Sequence, residues 1–376
     1  MTLLLTLLLA CNPDGATDKD AAGSDTGAEP EAYAPATEFG PYAAGTLEGE
    51  LSRESGETLA VQAWYPAVEA DSDSAVRYRY DDMIPGRALK TSTPDCSETR
   101  PVVVFSHGSG GIRWQSLFYV ELLAARGWIV VAPDHTGNTF LDQDDARMGE
   151  MALLRPMDVA RTFDWLSAQS GDPSSPLYGC VDPAAGYAVS GHSYGGYTSL
   201  AVAGATLNVT ALQAWCASSG DAACDTLQAW VDEHPGETEM DLSDPRAWAS
   251  VPMAPAGDAL FQGGAAGVGV PMVILAGTMD DTTPLETEAQ PIFDDMVVTP
   301  RALAVVAGAG HLSFSDACSL VPSYPECSDP DFLPVEDVQR ISVEVAIPFL
   351  DAVRGVHGAA DALPPDEQAL TWTSID

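Results

Sequence analysis

The stretch Gly186-Tyr187-Ala188-Val189-Ser190-Gly191-His192-Ser193-Tyr194-Gly195-Gly196-Tyr197 decides the fold. An apolar run ends in Gly191-x-Ser193-x-Gly195, and an Ala/Leu/Val-rich segment, Thr198 to Leu207, follows it. That order reads as strand, tight turn and helix with a serine at the apex, a nucleophile elbow. A serine held in a strained backbone needs small neighbours on both sides, so that strand and helix can approach closely. Its hydroxyl then stands above the sheet edge beside a helix N-terminus, where backbone N–H groups favour negative charge.

Working outward, Pro101 to Ser106 is a fully apolar strand of the kind buried in a parallel sheet, and it runs into His107-Gly108-Ser109-Gly110-Gly111. A helix through Leu117 to Ala125, a strand from Trp128 to Ala132 and a helix around Pro156 to Ala168 lead to the elbow. Leu212 to Trp215 is a further candidate strand, Met272 to Ala276 and Ala302 to Val306 are the last strands, and Val335 to Val353 is the closing helix. Strands alternating with helices predict an α/β fold, a mostly parallel central sheet with helices on both faces. Residues 218–268, irregular and rich in Asp, Pro and Gly, are expected to form a small loop-rich cap. Gly108-x-Gly110 also begins a dinucleotide-binding fingerprint, but Arg113 stands where its third glycine belongs.

The 376-residue chain carries a formal net charge of −39, with Lys19 and Lys90 as its only lysines. Nucleic acid and anionic membrane surfaces are therefore poor partners, and neutral substrates are favoured over acidic ones. Leu3 to Ala10 is apolar but too short to span a bilayer, and Leu8-Leu9-Ala10-Cys11 resembles the lipobox of bacterial lipoproteins. The expected organisation is a lipoprotein signal peptide over 1–11 with lipidated Cys11, and a disordered acidic linker over 12–38. A catalytic domain over 39–357 and a C-terminal tail over 358–376 complete it. The protein is expected in the cell envelope, touching the membrane only through the lipid at Cys11, and to act as a monomer.

Six further cysteines, an even number with two close pairs and no C-x-x-C spacing, suit disulfides in an oxidising compartment rather than a metal site. Cys216–Cys224 and Cys318–Cys327 are local closures. Cys96 and Cys180 each lie six residues before a strand expected to neighbour the other, which pairs them at the edge opposite the serine.

A serine hydroxyl needs a base to take its proton, and that base needs an orienting acid. In this architecture the order is Ser, then Asp or Glu, then His. His311, in the glycine-rich loop after the last apolar strand, is the base; Asp280 is the acid, with neighbouring Asp281 as its substitute. The oxyanion donors are expected at the backbone N–H groups of Tyr194 and Ser109. Trp114 and Trp215 are expected to form aromatic walls beside Ser193. No cofactor or metal is called for.

These motifs together resemble the α/β-hydrolase superfamily from Gly40 to about Leu350. Within it the chain looks like the branch holding platelet-activating-factor-acetylhydrolase-type esterases and bacterial cutinase-type polyester hydrolases. Phe105 to Gly111, Ala132 to Thr139, Gly191 to Gly196, Asp280 to Pro284 and Gly310 to Phe314 carry the resemblance. In those relatives the acid stands four residues before the proline, which implies Asp280, and the second oxyanion donor follows the His-Gly pair, which implies Ser109. The layout is also similar to dienelactone hydrolases, which have cysteine at the elbow. The expected function is a serine hydrolase cleaving carboxylic esters, short-chain or aromatic, with acetyl-phospholipids and polyesters as further substrates. A non-catalytic envelope binding protein and a serine peptidase or amidase on the same fold are the alternatives.

Overall fold

The computed structural model describes residues 33–376 apart from 70–74, 220 and 222. The expected signal peptide, Cys11 and most of the expected linker lie outside the described residues. Strands β1 (Ala43–Ser52) and β2 (Thr58–Ala67) pair antiparallel, and a hairpin of β3 (Arg77–Tyr80) and β4 (Ile84–Leu89) extends that edge. Then come β5 (Val102–Ser106), β6 (Ile129–Pro133) and β7 (Tyr187–His192), each buried along its whole length. The two-residue pair β8 (Leu207–Asn208) and β9 (Glu239–Met240) stands outside the main sheet. Strands β10 (Ala247–Met253), β11 (Met272–Gly277), β12 (Arg301–Val306) and β13 (Leu370–Ile375) complete it.

Among the described residues the main sheet has 11 strands in the order β13-β12-β11-β10-β7-β5-β6-β2-β1-β4-β3. From β12 to β6 the neighbours run parallel, and β13 and β2 join that block antiparallel. All-apolar runs such as Val102-Val103-Val104-Phe105 suit strands covered on both faces. On one face lie α1 (Leu117–Ala125) and the closing helix Val335–Val353, packed on Val103, Phe105, Val251 and Val273. On the other lie α2 (Met148–Gly171) and α3 (Tyr194–Val202); Val159, Phe163 and Leu166 of α2 meet Val104, Val131 and Val189. The pairings Ser106↔Gly191, His192↔Met253 and Gly277↔Val306 bring the carboxyl ends of β5, β7, β10, β11 and β12 into line, the edge where open α/β sheets place their ligands. This is the α/β-hydrolase fold.

Several expectations need correction. Residues 218–268 are not one cap, because Ala247–Met253 is a central strand between β7 and β11. Pro252 hid it: proline lacks the ladder donor and normally marks an edge, yet here it pairs opposite Gly191 in the middle of the sheet. Leu212 to Trp215 is helical, part of α4 (Val209–Ser219), which is followed by α5 (Ala223–Glu233). Val209 and Leu212 are buried three residues apart, a helical rather than an alternating spacing. Helix α2 starts at Met148 and continues through Pro156, because Met151, Ala152 and Leu153 have their own buried face to fill.

The ends of the domain also differ from the reading. The chain is packed from Tyr33 rather than from 39: the Tyr33 hydroxyl donates to Asp351 Oδ2 at 2.8 Å, and Ala36 is buried. The tail contains β13, which pairs with β12 from Arg301↔Ile375 to Val306↔Leu370. Cys96–Cys180, Cys216–Cys224 and Cys318–Cys327 are bonded as expected. Three disulfides mark a protein of an oxidising compartment, extracellular or periplasmic. No described helix is long and apolar enough to cross a membrane.

Candidate active site

Ser193 sits at φ 59°, ψ −119°, between the end of β7 and the first residue of α3. That left-handed conformation is costly for any residue with a Cβ and persists only where the surroundings impose it. Here the backbone imposes it: Ser193 N–H donates to Met253 O at 2.9 Å, and Ser193 O accepts from Tyr197 N–H at 3.1 Å. The flanking glycines are obligatory. A Cβ on Gly195 would lie 1.9 Å from Ser106 O, and one on Gly191 would lie 2.4 Å from Gly195 O.

His311 follows β12 and reaches the serine across the sheet edge, with Nε2 2.9 Å from Ser193 Oγ. Its Nδ1 lies 2.8 Å from Asp280 Oδ2. Asp280 is buried, and its second oxygen accepts the backbone N–H groups of Thr282 and Thr283 at 2.9 and 2.7 Å. Burial alone would raise its pKa, but the hydrogen bond and charge of His311 and the Thr283 donors outweigh it and hold the carboxyl below the usual range. Asp281 is exposed and makes no contact with the imidazole among the described residues. The Thr283 hydroxyl, 2.8 Å from Asp280 Oδ2, is a member of the site that sequence reading missed.

The expected oxyanion donors flank this serine. Tyr194 is the first residue of α3, and a first-turn N–H has no acceptor within its own helix. Ser109 follows Gly108, which passes so close that a Cβ there would meet Ser193 Cβ at 3.4 Å. A chain of side chains ties this loop to His311. Gly108 N–H donates to Gln115 Oε1 at 2.9 Å, Gln115 Nε2 to His192 Nδ1 at 2.7 Å, and His192 Nε2 to His311 O at 2.9 Å. Burial, with the neighbouring His311, drops the His192 pKa to about 3, so it serves as a neutral strut. Sequence reading gave neither Gln115 nor His192 this role, because their contacts join segments far apart in sequence.

Ser193 and His311 open into a cleft of 630 Å³ whose walls are mainly apolar. Trp114 is among its lining residues, with Nε1 donating to Asp81 Oδ2 at 2.9 Å. Trp215 does not: it belongs to α4 and packs beside Gly149 of α2, because the expected strand that would have carried it to the sheet edge is a helix. Among the described residues, none of 218–268 lines the cleft. Its outer walls come instead from Met83 and Ile84 in the β3–β4 hairpin, from Phe140, and from Leu320 and Val321. Cys318–Cys327 staples the last of these segments, and Glu326 beside it accepts Leu312 N–H at 2.6 Å, directly after His311.

A family model described as chlorophyllase matches residues 67–219, which carry the Gly108–Gly111 loop, α2 and the elbow. With the fold, this match puts the chain in the α/β-hydrolase superfamily and coarsely among its ester hydrolases. The matched segment ends before Asp280 and His311. No curated protein matches the chain. The narrower likeness to platelet-activating-factor-acetylhydrolase-type and cutinase-type enzymes remains a resemblance of motifs.

Proposed function

We propose that the protein is an exported serine hydrolase that cleaves carboxylic esters through an acyl-enzyme. The observation that carries this reading is the run Ser193 Oγ, His311 Nε2, His311 Nδ1, Asp280 Oδ2, with contacts of 2.9 and 2.8 Å, opening into an apolar cleft. As the Ser193 oxygen attacks the ester carbonyl carbon, its proton passes to His311 Nε2. Asp280 stabilises the imidazolium, and the N–H groups of Tyr194 and Ser109 receive the carbonyl oxygen as it becomes an oxyanion. The C–O bond to the alcohol breaks, and His311 returns the proton to the leaving oxygen. Water then repeats the sequence on the acyl-enzyme, releasing the acid and free Ser193.

The substrate reading is a neutral ester with an apolar acyl or alcohol group, aliphatic or aromatic. The expected restriction to short acyl chains rested on a polar cover from 218–268, and Ile84, Ile112, Leu320 and Val321 stand there instead. Attachment to a membrane through Cys11 rests on the sequence resemblance alone. Hydrolysis of p-nitrophenyl esters of graded acyl length tests the reading: the wild type turns them over and Ser193→Ala does not. Equal rates in the two proteins would refute it.

A further inference from the structure

Arg155 lies on α2 with no exposed surface, beneath the loop that carries Ser109. Burying a cation without a close ion pair is costly, and the nearby Asp158 charge offsets that cost only in part, so its retention needs compensation from what it holds. Its Nε and Nη1 have no hydrogen-bond partner among the described residues. Its Nη2 donates to His107 O and, at 3.3 Å, to Gly108 O. Its guanidinium carbon Cζ lies over the Tyr194 ring, 4.6 Å from the centroid.

His107 acts on the same carbonyl. Its Nε2 accepts the backbone N–H of His135 at 3.0 Å, which leaves its proton on Nδ1, 2.7 Å from Gly108 O. Burial, with the nearby Arg155 charge, pushes the His107 pKa well down, so this neutral tautomer persists. Burial also lowers Arg155, to about 10, which leaves it charged at neutral pH.

We propose that Arg155 and His107 are positioning residues of the oxyanion hole: they pin the Gly108 carbonyl inward and so aim the N–H of Ser109 at the reacting carbonyl above Ser193. The carbonyl of Gly108 and the N–H of Ser109 belong to one peptide unit. In a trans peptide the two point in opposite directions, so fixing one fixes the other. The contact of the same guanidinium with the Tyr194 ring links this donor to the second one, the Tyr194 N–H. A buried positive charge behind both donors also favours the negative charge that develops in front of them. This inference rests on the ester-hydrolase reading.

The test compares the full-length wild type with Arg155→Met, Arg155→Lys and His107→Asn. It reads kcat, KM and the affinity for two inhibitors: a trifluoromethyl ketone, which forms an oxyanion with an active serine, and the matching ether, which does not. Arg155→Met is expected to lower kcat about 10- to 100-fold, less than the loss of a whole donor. KM should stay within about twofold, and ketone affinity should fall by the same factor as kcat while ether affinity holds. Arg155→Lys, which keeps the charge, should recover part of that loss.

A change under about twofold in both kcat and ketone affinity would overturn the proposal, as would a parallel loss of ether affinity, which reports general loosening. If Arg155→Met fails to fold, Arg155→Lys and His107→Asn are judged by the same split between ketone and ether. Labelling of the wild type by a fluorophosphonate separates the two levels of the account. Absence of labelling removes the hydrolase reading itself, whereas labelling with unaltered Arg155 variants removes only the positioning role.

Discussion

His311 Nδ1 stands 2.8 Å from Asp280 Oδ2, and it is the turn after β11 that selects this aspartate over its neighbour. Thr282 and Thr283 donate their backbone N–H groups to Asp280 Oδ1, which turns its other oxygen toward the imidazole and leaves Asp281 in solvent. Asp280→Asn should therefore lower kcat by about 10³- to 10⁴-fold, since an amide holds the wrong imidazole tautomer. Asp281→Asn should stay within about twofold. Steady-state kinetics on one ester reads both, and a larger loss at 281 would reverse the assignment.

The strained backbone of Ser193 predicts an unusual stability effect. At φ 59° a glycine is relaxed where serine and alanine are not. Ser193→Gly should abolish activity yet stabilise the fold relative to Ser193→Ala by about 1 kcal/mol. Urea denaturation of the two variants measures the difference. Equal or lower stability of the glycine variant would mean that the elbow is not strained at this residue.

Acid should weaken the fold through its buried histidines. The folded-state pKa of His192 is depressed to about 3, by burial and by His311, whereas an unfolded histidine takes up its proton near 6.5. The unfolded chain thus binds the extra proton throughout that window, and stability falls as pH drops from about 6.5 toward 3. His192→Gln removes this dependence. Between pH 6 and 4 its unfolding free energy should fall less steeply than that of the wild type, by up to about 1.4 kcal/mol per pH unit. Parallel slopes would mean that His192 is not held neutral.

The outer wall of the cleft gives a prediction for substrate. Phe140 lines the cleft while remaining 67% exposed, so truncating it removes substrate contact at little cost to the core. Phe140→Ala should raise KM for esters with apolar groups, by up to about tenfold for the largest, and leave acetyl esters nearly unchanged. A uniform change across the series would place the apolar group elsewhere.

Much of the site was legible because its residues sit where apolar strands end. Gly191-x-Ser193-x-Gly195, Asp280 and His311 each follow a strand that the sequence displays as an unbroken apolar run. Ala247–Met253 broke that rule through Pro252, and its loss turned the surrounding chain into an imagined cap and carried Trp215 to the wrong place. The β3–β4 hairpin was missed because β3 is only four residues long and Pro85 and Gly86 interrupt β4, although it supplies Met83 and Ile84 to the cleft. Gln115, His192 and Arg155 act through contacts between distant segments, which spacing along the chain does not reveal.

The central claim is that Ser193 is an activated nucleophile, and covalent labelling tests it most directly. Wild-type protein, Ser193→Ala and His311→Ala are each incubated with a fluorophosphonate, and the modified residue is identified by peptide mass spectrometry. The account predicts one adduct on Ser193 in the wild type, none in Ser193→Ala, and labelling slowed by orders of magnitude in His311→Ala, because the hydroxyl is a poor nucleophile without its base. An unlabelled wild type, or an adduct that persists when Ser193 is replaced, would contradict it.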